Sequence, residues 1–184
     1  MLVAIAFPDR VTRVVLIDGR SPTRDLSESA YAPGSPIYQR TRPEDVAEKT
    51  AITGSPDWMF DQERLDRWLI LEFRPFYADP SMSARIPHDL DGRRYNQWRI
   101  TLSTVLSSLG DWDITSHLPS MLAPVFPINC RESILGTDIP HAYEELLPNA
   151  HLDWVDGGHT PPSEDPAAFA SAVGSFFNTN TLIP

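Results

Sequence analysis

Three short stretches of the chain are apolar and rich in β-branched residues: "VTRVVLID" (Val11 to Asp18), "PVFPIN" (Pro124 to Asn129) and "AHLDWVD" (Ala150 to Asp156). Runs of that length and make-up predict buried strands. The first is closed by Gly19 and the third by Gly157 and Gly158. Between the second and third, "PHAYEELL" (Pro140 to Leu147) predicts a helix with proline at its start. After the third, Asp165 suits an N-cap and Pro166 the first helical position. Phe169, Val173, Phe176 and Phe177 then fall on one face, at spacings of four, seven and eight. Strand, helix, strand, helix predicts a parallel sheet with covering helices.

The middle has another pattern. Residues 20 to 60 are rich in Pro, Ser, Thr and Gly and read as loop. From Asp61 to Tyr77 an aromatic helix is expected, with Leu65, Trp68, Leu69 and Phe73 on one face. A second helix is expected from Tyr95 to Leu109, with Trp98, Ile100, Leu102, Val105 and Leu106 apolar. Both lie between the first strand and the last two, so they read as an insertion over one end of the sheet.

Bulk numbers narrow the classes. The chain has 184 residues, 41% hydrophobic and 22% charged, which fits one globular domain with a real core. A net charge of -10 repels phosphate backbones, so nucleic acid is not an expected partner. No apolar run approaches the roughly 20 residues that a membrane span needs. "MLVAIAF" opens the chain without a basic leader or small-residue cleavage site. One cysteine, Cys130, allows no disulfide framework within the chain, and a cytoplasmic, reducing location is the expectation. His88, His117, His141 and His151 are scattered, and no His-x-x-x-His or Cys-x-x-Cys pair occurs. Neither a metal nor a cofactor is expected.

One histidine stands apart. His159, in "DGGHT", follows a strand by two glycines, so it falls just beyond a strand's carboxyl end. Ligands and catalytic groups gather there in parallel sheets. A neutral imidazole could take a proton from a nucleophile and return it to a leaving group. The alternative is a loop histidine of no consequence.

The tail "LPNAHLDWVDGGHTPPSEDPAAFASAVGSFF" resembles the C-terminal end of α/β-hydrolase-fold proteins, with a Gly-His turn, a helix start at Asp-Pro and a helix closing in Phe-Phe. "FPDRVTRVVLIDG" resembles that family's strand after the nucleophile helix. "GDWDITSHLPSMLAPVFPIN" resembles the approach to the strand that carries the acid, with a Trp-Asp and leucine pattern similar to proline iminopeptidase-like members. The resemblance covers 1–19 and 110–178 and matches the middle in position only. It implies a partial α/β-hydrolase fold: a short parallel sheet of about three strands with covering helices and an inserted helical cap. Residues 1–19 and 110–184 would form the core and 20–109 the cap. His159 takes the family's histidine position.

The family's nucleophile sits in a Gly-x-Ser-x-Gly turn. Ser21, in "GRSPT", comes closest, but Pro22 has no N–H to offer an oxyanion. Ser35 and Ser55 also precede proline and read as turns. Cys130 reads as a small buried residue at a strand end. The resemblance implies that the working serine would lie upstream of "MLVAIAFPDRV", so that this chain is truncated before it. For the acid, the family's position falls on Ser133, which cannot serve as a carboxylate. Asp138, in "GTDIP", and Glu132, in "NCRES", are the neighbouring candidates, and loss of the acid is a third outcome. Asp138 doubles as a helix cap. "DWD" (Asp111 to Asp113) reads as a core tryptophan flanked by loop aspartates.

Two functions follow. The first is a serine hydrolase, aminopeptidase- or esterase-like, acting on a small ester or peptide, with His159 and Asp138 as catalytic residues. The second is a non-catalytic remnant acting as a binding protein. An open edge beside "VTRVVLID" would favour self-association in either. A misplaced start to a longer protein is a third account of the missing serine.

Overall fold

The computed structural model describes residues 1–85 and 91–178, so the sequence reading of His88 lies outside the described residues. The elements in chain order are α1 (Leu2–Ala6), β1 (Val14–Ile17), α2 (Arg24–Ser29), α3 (Pro36–Arg40), α4 (Pro43–Thr53), α5 (Gln62–Phe73), α6 (Gly92–Leu109), β2 (Val125–Cys130), α7 (Asp138–Leu146), β3 (Asp153–Val155), α8 (Pro161–Glu164) and α9 (Pro166–Asn178). The three strands form one parallel sheet in the order β1-β2-β3. Val14 pairs with Val125 and Ile17 with Ile128, while Ile128 pairs with Asp153 and Cys130 with Val155.

β2 is the centre, and every one of its residues is buried. One face, with Val125, packs with Leu118, Ile134, Ile139 and Tyr143 of the flanking turns and α7. The other, with Phe126, Ile128 and Cys130, packs beneath Phe169, Ala172, Val173 and Phe176 of α9. Three of the four residues of the stripe expected of α9 are there, whereas Phe177 is exposed. Asp165 Oδ1 accepts the Ala168 N–H at 2.9 Å, closing the cap expected at its start. Arg13 sits at the other end of α9 and donates to the carbonyls of Phe176 and Phe177, where a cation meets the helix's negative pole.

Residues 20 to 60 are not loop. They hold α2, α3 and α4, because their Ser, Thr and Pro start helices rather than avoid them. Thr23 accepts the Leu26 N–H, and Pro36 and Pro43 open α3 and α4. α4 and α5 are joined by two ion pairs: Arg67 grips Glu48 through two hydrogen bonds at 2.6 and 2.7 Å, and Lys49 meets Glu72; a third ties Arg74, just past α5, to the buried Asp45 of α4. α5 buries Leu65 and Leu69 completely against Tyr95. Pro75 follows and ends it in a short turn at Arg74–Phe76.

Not all apolar surface is covered. The chain exposes 10849 Å², above the about 8,900 Å² expected of a compact monomer of its mass. Leu2, Val3, Phe7 and Ile17 near β1 are exposed, as are Trp98, Ile100, Leu102 and Val105 on α6. Among the described residues no helix is long and apolar enough to cross a membrane.

Candidate functional site

The carboxyl ends of β1, β2 and β3 converge on one buried acid. Asp18 leaves β1 with φ of 39°, in the left-handed region that few residues other than glycine adopt. Its short side chain makes aspartate one of the few that tolerate it. Its backbone N–H still bonds to the Ile128 carbonyl at 2.8 Å, so the turn is fixed to the central strand. The turn carries the carboxylate inward, where only 1% of the side chain is exposed.

Both oxygens of that carboxylate are occupied. The Ser133 hydroxyl donates to Oδ1 at 2.8 Å, and His159 Nδ1 meets Oδ2 at 2.9 Å. Ser133 Oγ in turn accepts the Leu135 N–H at 3.0 Å, which turns its own proton toward Asp18. A buried carboxylate is tolerable when its lone pairs are met in this way. An ionised carboxylate can only accept, so Nδ1 is the nitrogen that donates here, and Nε2 lies on the far side of the ring. His159 is 23% exposed at the side chain, and among the described residues no protein group is hydrogen-bonded to Nε2. That is the arrangement of a base open to a reacting proton.

The loop that delivers His159 uses its two glycines differently. Gly157 has φ of 129°, which only glycine adopts without strain. Gly158 is needed for space: a Cβ there would stand 2.3 Å from the Phe76 carbonyl oxygen and 2.7 Å from Ala78 N. The His159 N–H donates to that same carbonyl at 2.6 Å, and the Phe76 ring meets the imidazole edge-on at 5.4 Å. Residues 76 to 78, from the helical segment between β1 and β2, thus lie directly on the histidine loop. Tyr77 is buried among them, and its hydroxyl is pushed up by that burial; a hydrogen bond with Thr160 opposes the rise.

The carboxylate on the histidine is therefore not one of the two expected. Asp138 stands in the first turn of α7, exposed, and the structure does not bring it to His159. The loop after β2 turns at Ser133 to Gly136 and starts α7 at Asp138, carrying that carboxylate outward. Glu132 is also exposed and lies 3.4 Å from Arg40. Ser133, counted to the acid's position, does reach the site, as a donor to the acid. Asp18 was written in the sequence as the last residue of "VVLID", before Gly19. A carboxylate ending a parallel strand just ahead of a glycine was the signal that could have found it.

Ser55 lies in the turn after α4, whereas Ser35, read as a turn, is the N-cap of α3. Ser21 is buried and accepts the Thr23 N–H in a turn. Trp112 Nε1 donates to the Ser21 carbonyl, and Asp113 accepts from both N–H and hydroxyl of Thr115. Cys130 is wholly buried, and burial, with the nearby Asp18 charge second, pushes its thiol up to about 12, so it is no ready nucleophile. Among the described residues no group of three or more metal-ligating side chains is found.

No family model matches the chain, and no curated protein matches it. Solved structures do. A hydrolase of the alpha/beta fold family from Bacillus anthracis superposes with a TM-score of 0.64 at 15% identity, over 95% of this chain and 61% of that one. A hydrolase from Pseudomonas aeruginosa gives 0.59 at 17% identity, over 96% and 59%. The proline iminopeptidase of Mycobacterium smegmatis gives 0.58 at 20% identity, over 95% and 59%. The chain has a partial α/β-hydrolase fold. It spans about three fifths of the length of these structures, and proline iminopeptidase is among those it resembles.

Proposed function

We propose that this chain supplies the acid–base part of a hydrolase site that transfers an acyl group to water, with His159 as general base and Asp18, in place of Asp138, as the acid that holds it. The supporting observation is the buried chain Ser133–Asp18–His159, closed at one end by a backbone N–H and open at Nε2. His159 would take the proton of an attacking hydroxyl and return it to the leaving group, while Asp18 stabilises the imidazolium between the two steps. No described serine, threonine or cysteine bonds to Nε2, so the nucleophile would come from sequence upstream of Met1. Substrates would be small esters or peptides with a small N-terminal residue. A location in the cytoplasm belongs to the same proposal.

The test extends the reading frame upstream of Met1 to a Gly-x-Ser-x-Gly turn and assays p-nitrophenyl acetate and proline p-nitroanilide. Asp18→Ala and His159→Ala should each lower kcat by about 10³-fold or more, and Asp138→Ala by less than about twofold. An equal loss in Asp138→Ala would sink the assignment of Asp18. Turnover by the 184-residue chain alone that is lost in His159→Ala would sink the claim about the nucleophile.

The exposed apolar residues beside the unpaired edge of β1 favour a second reading, a non-catalytic protein that binds through that edge. Absence of any Gly-x-Ser-x-Gly within some hundred upstream codons would support it.

A further inference from the structure

We propose that Glu164 is a positioning residue that clamps the histidine loop onto residues 76 to 78 of the insertion, so that the seating of the insertion sets how His159 meets Asp18. This rests on the reading of Asp18 and His159 as an acid–base pair. Glu164 ends α8, five residues past His159, and touches neither member of that pair through any hydrogen bond. Its carboxylate instead gathers four donors. Oε2 accepts the N–H groups of Ala78 at 2.9 Å and Gly158 at 2.8 Å. Oε1 accepts the N–H and the hydroxyl of Thr160 at 3.2 and 3.1 Å.

The pattern has a direction. Glu164 binds the residue before His159, the residue after it, and one residue of the insertion. The His159 N–H, between the two, is taken by Phe76. Three successive residues of the loop are therefore fixed, His159 by Phe76 directly and its two neighbours by Glu164, which Ala78 ties to the insertion. No cation pairs with Glu164 among the described residues, so its charge is met by these donors. Arg74, just ahead of Phe76, is tied in turn to Asp45 of α4. Movement of α4 and α5 would thus reach Phe76 and Ala78, and through Glu164 the imidazole. A residue that only capped α8 would not need to reach Ala78.

The experiment reads the tautomer of the neutral His159 ring by 15N NMR, with amide hydrogen exchange along the chain. In the native protein the Nδ1–H tautomer should dominate, and in Asp18→Ala it should not. If Asp18→Ala leaves the tautomer unchanged, the reading of the pair fails, whatever Glu164 does. Glu164→Gln keeps the shape but turns an N–H group toward at least one of the N–H donors. Ala78→Pro removes the insertion's donor and leaves the Glu164 charge in place. Tyr77, with φ of −100° and ψ of 145°, already has the backbone that a following proline demands. Both variants should at least halve the Nδ1–H population and speed exchange at Gly158 and Thr160 about tenfold, with Ile128 of β2 unchanged. A native tautomer population in folded Ala78→Pro overturns the proposal. So does exchange that rises uniformly through β2, because that marks general destabilisation. Where Glu164→Gln does not fold, Ala78→Pro alone decides.

Discussion

Two regions of this molecule differ in kind, an open groove and a cluster of buried polar groups. A groove of about 740 Å³ runs along β3 and α9, between Pro124 and Asn149 at one end and the exposed Arg131–Asp156 pair at the other. It is lined by Phe126, His151, Trp154 and Phe176. The strand-end cluster around Asp18 instead joins three strand ends through polar groups, with both carboxylate oxygens met. Volume records where packing stops. A connected set of buried polar groups, held partly by a residue at positive φ, records a geometry maintained against its own cost. That difference is why the site is assigned to the cluster.

The comparison can be broken in several places. If the groove opened onto β2, the Cys130 thiol beneath α9 would meet solvent. With the thiol pushed up to about 12, native Cys130 should react with a disulfide reagent at mildly alkaline pH about a hundredfold slower or more than in urea. The same shift gives a pH dependence. The unfolded thiol ionises from its ordinary value of 9.0 upward while the native thiol does not. Its contribution to stability is therefore full below that pH and is lost as pH rises toward about 12. Next in size, Gly158→Ala should cost roughly 2–4 kcal/mol in urea denaturation, because backbone atoms of residues 76 to 78 stand in the way. Asp18→Ala should cost about 1–3 kcal/mol by leaving Ser133 and His159 without their acceptor. Smallest, His151→Ala in the groove should change stability by under about 0.5 kcal/mol. A groove substitution that outweighs the cluster substitutions would reverse the assignment.

Periodicity placed β2 and α9 and the start of α5, whose expected end at Tyr77 overran Phe73 because Pro75 stops the helix, and the cap at Asp165 was written in its residues. It read α2 to α4 as loop because Pro, Ser and Thr start helices and also make turns, and only the neighbouring structure separates the two uses. The histidine's place was legible from a strand followed by Gly157 and Gly158. Its partner was not, because counting along one connection assumes that the acid stays on it. In space β1 and β2 are neighbours, and a carboxylate at the end of one reaches the same point as a carboxylate just past the end of the other. Glu164 was invisible for a similar reason, since its donors come from Ala78 as well as from its own loop.

The positive φ at residue 18 has a genetic consequence. Asparagine tolerates that backbone conformation as well as aspartate does, and it could still accept from Ser133 with its carbonyl oxygen. Its amide would then face His159 as a donor where the carboxylate accepts. One base change in an aspartate codon makes that substitution. The fold would raise little objection, so one nucleotide separates this sequence from a well-folded one in which the proposed site lacks its acid.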